Sequence, residues 1–219
     1  MLDSSISNNE INISGYYVVR KDRNRNGGGV ALYIRNVIHY KIRNDLMNEK
    51  LETITIEVCP PKGKSFFINT WYRPPDAIIE RFDWYENFIR DMDFKNKETI
   101  LIGDFGCDWS RLVSNNAASH TVRMATLAST YQFEQMIKEP TRVTATPKTL
   151  IDLTFCNRPE LITMSGVDHI GISDHSLIYV CRKISISRNE PKIIHSRQFK
   201  HYDKNSFCKE LHGGLLWNI

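Results

Sequence analysis

Three short words in this 219-residue chain end apolar stretches with acidic or imidazole groups: Gly103-Asp104-Phe105, Ile151-Asp152-Leu153 and Ser173-Asp174-His175. A carboxylate placed where a strand runs into a loop is held by the sheet and still reaches solvent. Three such groups and one histidine are the kit for metal-assisted hydrolysis: one binds a cation, one activates water, and one orients the imidazole. His175 is the natural acid or base, because an unperturbed imidazole titrates nearest neutrality. Read singly, each Asp is a loop cap, since turns favour Asp generally. Asp168-His169 repeats the Asp-His pair just upstream and reads as loop leading into the next strand.

Other residues offer rival chemistry. Gly27-Gly28-Gly29 is followed by neither GxGxxG nor GxxxxGK, so it reads as a hairpin turn and not as a phosphate cradle. Trp71, Tyr72, Trp84 and Tyr85 have faces on which bases stack, although Trp84 and Tyr85 fall on a helical stripe and read as core. Cys107 lies beside Asp104 without a partner motif that would mark a nucleophile. The basic stretches Arg20–Arg25 and Arg182–Lys200 read as solvated faces that on a DNA enzyme would also meet phosphates.

The elements that must position these groups follow from periodicity. Strands are expected at Tyr16–Arg20, Gly29–Arg35, Val37–Arg43, Glu52–Val58 and Ser65–Tyr72, the last stopped by Pro74-Pro75. Ile78, Phe82, Tyr85, Phe88, Ile89 and Met92 then share one helical face, with Asp76 as the expected N-cap. Thr99–Ile102 is a short strand running into Gly103-Asp104, and a second helix is expected over Ser119–Tyr131. Phe133–Ile137, Arg142–Ala145, Leu150–Phe155, Leu161–Val167 and Ser176–Ile184 complete the strands, and a basic tail or linker with a short helix follows. This pattern predicts an α/β fold, a layered β-sandwich flanked by helices. The domain is expected over residues 1–184 and the tail over 185–219.

Composition narrows the class. With 41% apolar and 25% charged residues, and 29 − 25 = +4 net charge, the chain can bury a core and leans mildly toward polyanions. No apolar run approaches the roughly 20 residues of a membrane span, and the first ten residues carry no secretory pattern. Five cysteines form no CxxC pair and cannot all be bridged, so an intracellular compartment, nuclear or cytoplasmic, is expected.

Six words occur in order: RKDRNRNGGGVALYIRN (20–36), NTWYRPP (69–75), ILIGDF (100–105), EPTRVT (139–144), TLIDLTF (149–155) and GISDHSLI (171–178). In these the chain resembles the endonuclease/exonuclease/phosphatase superfamily of DNase I-like fold, and within it the endonuclease domain of non-LTR retrotransposons. The resemblance implies that Tyr72 contacts the scissile phosphate, Asp104 orients and deprotonates the attacking water, and His175 hydrogen-bonds the phosphate with Asp152 holding its ring. It places Asp174 in the site for Mg²⁺ (or Mn²⁺), and Thr144 and Ser173 on the substrate side. DNA is the implied substrate, and a reverse transcriptase domain the implied partner in an intact element; no membrane is implied.

Two departures from that family's pattern bear on activity. The family opens with a strand ending in Asn, a helix, and a strand ending in a metal-binding Glu. Met1-Leu2-Asp3-Ser4-Ser5 corresponds to the stretch after that Glu, so a domain without its first strands and a weakly held cation are expected, and Glu10, after a polar turn, is no substitute. The second departure is Gly106, where the family has an Asn that donates to the phosphate; losing one such donor costs on the order of 10²–10³ in rate. Asp108, two residues on, is an anion where an amide is wanted. The expected function is metal-dependent DNA phosphodiester hydrolysis, impaired in this chain. The alternative is a non-catalytic nucleic-acid-binding or interaction remnant. A phosphorylated lipid or small molecule is a third substrate class, disfavoured by the RKDR–GGG and YRPP words.

Overall fold

A computed structural model describes residues 5–23, 28–92, 97–112, 114, 116–184, 200 and 202–212. The chain forms two compact units, Met1–Ile186 and Ser187–Ile219. In the first, the strands are β1 (Tyr16–Lys21), β2 (Val30–Arg35), β3 (Tyr40–Ile42), β4 (Glu52–Val58), β5 (Phe66–Tyr72), β6 (Thr99–Asp104), β7 (Glu134–Gln135), β8 (Arg142–Val143), β9 (Lys148–Thr149), β10 (Asp152–Cys156), β11 (Ile162–Asp168) and β12 (Leu177–Arg182). Helices α1 (Arg81–Asp91) and α2 (Ser119–Thr130) complete it. The second unit holds helix α3 (Lys204–His212), whose start is capped by Asp203, which accepts from the Asn205 N–H and the Ser206 hydroxyl. Among the described residues no helix is long and apolar enough to cross a membrane.

Six strands form the central sheet in the order β3-β4-β5-β6-β10-β7. Only the β5–β6 pair is parallel; its neighbours are antiparallel. A parallel neighbour needs a crossover, and α1 lies in that connection. Successive side chains of each strand point to opposite faces, so the sheet separates two apolar clusters. Phe67 and Trp71 of β5, Leu101 of β6, and Leu153 and Phe155 of β10 face the helical side, together with Phe82, Tyr85, Phe88 and Ile89 of α1 and Met124 and Leu127 of α2. Trp71 stacks on Tyr85 with centroids 3.9 Å apart and meets Phe82 and Phe105 edge-on. The buried Asn69 amide donates to Thr53 and Thr55 of β4 and accepts from the Tyr85 hydroxyl, tying α1 to the sheet.

The opposite face carries Ile54, Ile56 and Val58 of β4, Phe66 of β5, Ile100 of β6 and Cys156 of β10. The hairpin β1–β2 packs over β4 and β5 and contributes Val19 and Ile34, while β12 lies over β10. Among the described residues this second layer is two separate two-stranded sheets, β1–β2 and β11–β12.

One expectation fails at α1, which begins at Arg81 and not next to Asp76. Ala77, Arg81 and Phe82 each donate to a carbonyl three residues back, so the chain after Pro74-Pro75 spends several residues turning before the helix is established. Glu80 is the N-cap and makes no side-chain cap bond. Ile78 consequently lies outside the helix and is 56% exposed.

Gly103 makes the β5–β6 junction possible. Its φ is 155°, and a Cβ there would lie 2.1 Å from the Trp71 carbonyl oxygen, a separation at which only glycine fits.

Candidate active site

The register of the central sheet brings three of the expected residues into one transverse row. Asp152 pairs directly with Asp104 across β10–β6. The parallel β5–β6 register runs Thr70 opposite Ile102, and the Arg73 N–H donates to the Asp104 carbonyl at 2.9 Å, which places Tyr72 beside Asp104. All three lie in the alternation that faces the hairpin side of the sheet, at the end where β5 and β6 run out into loops. Partner residues in a ladder share a face, so this proximity is imposed by backbone register and not by long side chains.

His175 joins from the loop before β12. Its Nδ1 lies 2.9 Å and 3.1 Å from the two Asp152 oxygens, which fixes the ring and leaves Nε2 for other work. Residues 141–143 and 174–176 zip together to carry it there: the Val143 N–H donates to the Asp174 carbonyl, the Ser176 N–H to the Thr141 carbonyl, and Arg142 bridges His175. Asp104 is partly sequestered. Burial, and then the adjacent Asp152, raises its pKa from 3.8 to about 6, against the Gly106 N–H that donates to its Oδ1 at 2.9 Å. Burial also raises the Tyr72 phenol above its usual value, with Asp104 adding to the effect.

The remaining expected residues stand apart from this group. The Asp174 carboxylate is 42% exposed and is held by Arg142 at 2.7 Å, which lowers its pKa. Ser173 exchanges hydrogen bonds with the His175 backbone and shapes the loop. The Thr144 hydroxyl donates to the Pro147 carbonyl. Gly106 has φ +58°, a left-handed conformation that Gly and Asn both tolerate. Asp108 is not a free anion: its Oδ1 accepts from Ser110 and from the Leu150 N–H, and its Oδ2 from Arg111. Trp71 and Tyr85 are fully buried and cannot meet a base. Cys107 is also buried, its thiol pushed up to about 12 by burial. In the basic stretches, Arg182 is occupied by Glu98 at 2.5–2.6 Å. Arg25, Gly27 and residues 185–199 lie outside the described residues.

Sequence reasoning missed three contributors. Glu52 is the register partner of Tyr72 and extends the row onto β4. Thr141 is fully buried and its hydroxyl accepts from the Ile151 and Asp152 N–H groups, seating the start of β10. Arg142 is the cation that faces Asp174. A hydroxyl after Pro140 and a glutamate opening an alternating strand were visible signals; which strand each would meet was not.

A divalent cation fits the donor set. One ligand atom each from Asp104, Asp152 and His175 lies within 4.8 Å of the others. Two carboxylates and an imidazole suit Mn²⁺, and the carboxylates alone suit Mg²⁺ with water and phosphate.

Paired acids and an Asp-held imidazole stand together at the end of an α/β sheet covered by helices on one face and hairpins on the other, a set of groups that acid–base hydrolysis can use. The chain belongs to the endonuclease/exonuclease/phosphatase family, which it matches over residues 3–175. Its fold is similar to the endonuclease domain of TRAS1, a telomere-specific non-LTR retrotransposon, at 16% identity and TM-score 0.66, covering 80% of this chain and 83% of that one. The NExo 3′ phosphatase from Neisseria, bound to a product DNA hairpin, aligns at 13% identity and TM-score 0.53, covering 78% and 80%. An AP endonuclease from Archaeoglobus fulgidus aligns at 15% identity and TM-score 0.53 over the same shares. No curated protein matches the sequence.

Proposed function

We propose that this chain is a divalent-cation-dependent phosphodiesterase of the retrotransposon endonuclease type, acting on DNA, with turnover lowered by Gly106. The observation that carries the reading is the row Tyr72–Asp104–Asp152 with His175 locked onto its end. Asp104, beside Asp152 at the end of the sheet, is placed to orient the attacking water and take its proton. His175, its ring held by Asp152, presents Nε2 as a donor to a phosphate oxygen, and the Tyr72 hydroxyl is a second donor on the other side of Asp104. Asp104 and Asp152, joined by Asp174 once Arg142 releases it, would hold Mg²⁺ or Mn²⁺, which supplies neutralisation of phosphate charge when bound. At Gly106 there is no side chain to donate, so one transition-state contact is missing.

On this reading the endonuclease domain is residues 1–184, residues 185–219 are a basic tail or linker, and a reverse transcriptase domain is the partner in an intact element. A nuclear or cytoplasmic setting follows from that role. A plasmid-nicking assay with Mg²⁺ and Mn²⁺ tests the function. The expected result is slow nicking abolished by His175→Ala. DNA binding with no nicking in either ion would replace the enzyme by a binding module. Turnover of a phosphoinositide in preference to DNA would move the substrate class.

A further inference from the structure

The residue row does not stop at Tyr72. Glu52, its partner across β4–β5, points to the same face and is 8% exposed. A carboxylate this enclosed needs donors, and both come from the turn of the β1–β2 hairpin. The Gly29 N–H donates to Glu52 Oε2 at 2.9 Å, and Arg23 Nε lies 3.5 Å from Oε1. Gly28 packs so closely that a Cβ there would come within 2.6 Å of both Arg23 Cδ and Glu52 Oε2, and its φ is +92°. The hairpin is thus pinned onto the row by a glutamate and made to fit by a glycine.

The three described basic residues of this turn are not equivalent. Arg20 is bidentate on Asp22 at 2.6 and 2.7 Å. Lys21 Nζ is spent on the Asn48 and Leu51 carbonyls at 2.6 and 2.7 Å. Arg23 has the long 3.5 Å contact, a side chain 30% exposed, and a position close enough to act on the Tyr72 phenol. A guanidinium so held presents a planar set of donors, the geometry that suits a phosphodiester.

We propose that Glu52 is a positioning residue that pins the β1–β2 hairpin beside Tyr72, so that Arg23 takes a backbone phosphate of the nucleic acid next to the scissile one. The inference rests on the DNA-substrate reading above. Arg23 is the contact and Glu52 acts through it.

The test is equilibrium binding of the full chain to a duplex oligonucleotide in EDTA, followed by fluorescence anisotropy across a salt series. Removing one phosphate contact lowers the slope of log K against log[salt] by about one, equivalent to about eightfold in affinity at 0.1 M salt. Arg23→Gln, at an exposed residue, is expected to show that loss while Arg23→Lys keeps the slope. Glu52→Ala is expected to weaken binding and lower the slope although it removes a negative charge from the site. Glu52→Gln, which retains an oxygen for the Gly29 N–H, holds the slope. Simple electrostatics requires the reverse sign for Glu52→Ala, so tighter binding by that variant overturns the proposal. An unchanged slope in Arg23→Gln overturns it independently of how Glu52→Ala folds. If the unmodified chain binds DNA and Arg23→Gln binds identically, this inference alone fails. If the unmodified chain shows no salt-dependent binding, the DNA reading fails and takes this inference with it.

Discussion

Replacing Asp104 by asparagine should make the protein more stable while it removes the carboxylate proposed as the base. The carboxyl is raised from 3.8 to about 6, chiefly by burial and next by Asp152. At about 1.4 kcal/mol per pKa unit, ionising it in the folded state at neutral pH costs about 3 kcal/mol relative to the unfolded chain. Asparagine keeps a side-chain oxygen for the Gly106 N–H and carries no charge, so its gain has about 3 kcal/mol as its ceiling. The sign follows from linkage. A carboxyl whose folded pKa is raised contributes its full stability below 3.8 and loses it as pH rises through about 6. The difference between Asp104→Asn and the unmodified chain is therefore about 0.5 kcal/mol at pH 4, grows through pH 5–6, and is flat above pH 7. Urea unfolding in EDTA at intervals from pH 4 to pH 8 measures it. A difference independent of pH, or a variant less stable at pH 7, would refute the claim that Asp104 is an enclosed anion pressed against another. Adding Mg²⁺ should stabilise the unmodified chain more than the variant, because a ligand that binds only the folded state adds its binding free energy.

Two further outcomes follow from the same geometry. Gly106→Asn should raise nicking by about 10²–10³, since φ +58° accepts Asn and its Cβ would meet the Arg73 guanidinium end at 3.0 Å and the Arg73 carbonyl at 3.3 Å; a folded variant with unchanged nicking removes Gly106 as a determinant of turnover. Iodoacetamide at pH 8 should label Cys59, Cys181 and Cys208 in the native protein and spare Cys107 and Cys156, whose thiols burial pushes up to about 12 and about 11. Mass spectrometry of native and urea-treated samples reads this, and native labelling of Cys107 would contradict its burial.

Much of the sheet was legible because alternation is a local signal. Glu52–Val58 is a strand over the residues that alternate, and Ser119–Thr130 is a helix whose Met124, Leu127 and Ala128 stripe is buried. The start of α1 was misjudged because a proline pair and an aspartate resemble a cap whether or not the chain goes on turning afterward. At the site, Asp104, Asp152 and His175 stood out as ionisable groups set in apolar words, although only Asp104 ends its strand: Asp152 opens β10 and His175 precedes β12. Glu52 and Thr141 did not, since their roles arise from which residue stands opposite or beneath them, and register is a property of paired strands. Asp174 was legible as an acid but its Arg142 partner was not, because the two words that hold them meet only when residues 141–143 and 174–176 pair.

The Gly103–Asp104 step joins two unlike demands in neighbouring letters. Asp104 answers to the proposed chemistry, whereas Gly103 answers to the 2.1 Å that separates its missing Cβ from the Trp71 carbonyl. On the proposed reading, substitutions at the two positions would look the same in a nicking assay read alone. They diverge in abundance: an altered Asp104 leaves a folded, recoverable protein, whereas any side chain at 103 forces β5 and β6 apart and sends the chain to degradation. A mutational scan that counts soluble protein alongside turnover would therefore split this two-letter signature into one residue that builds the sheet and one that uses it.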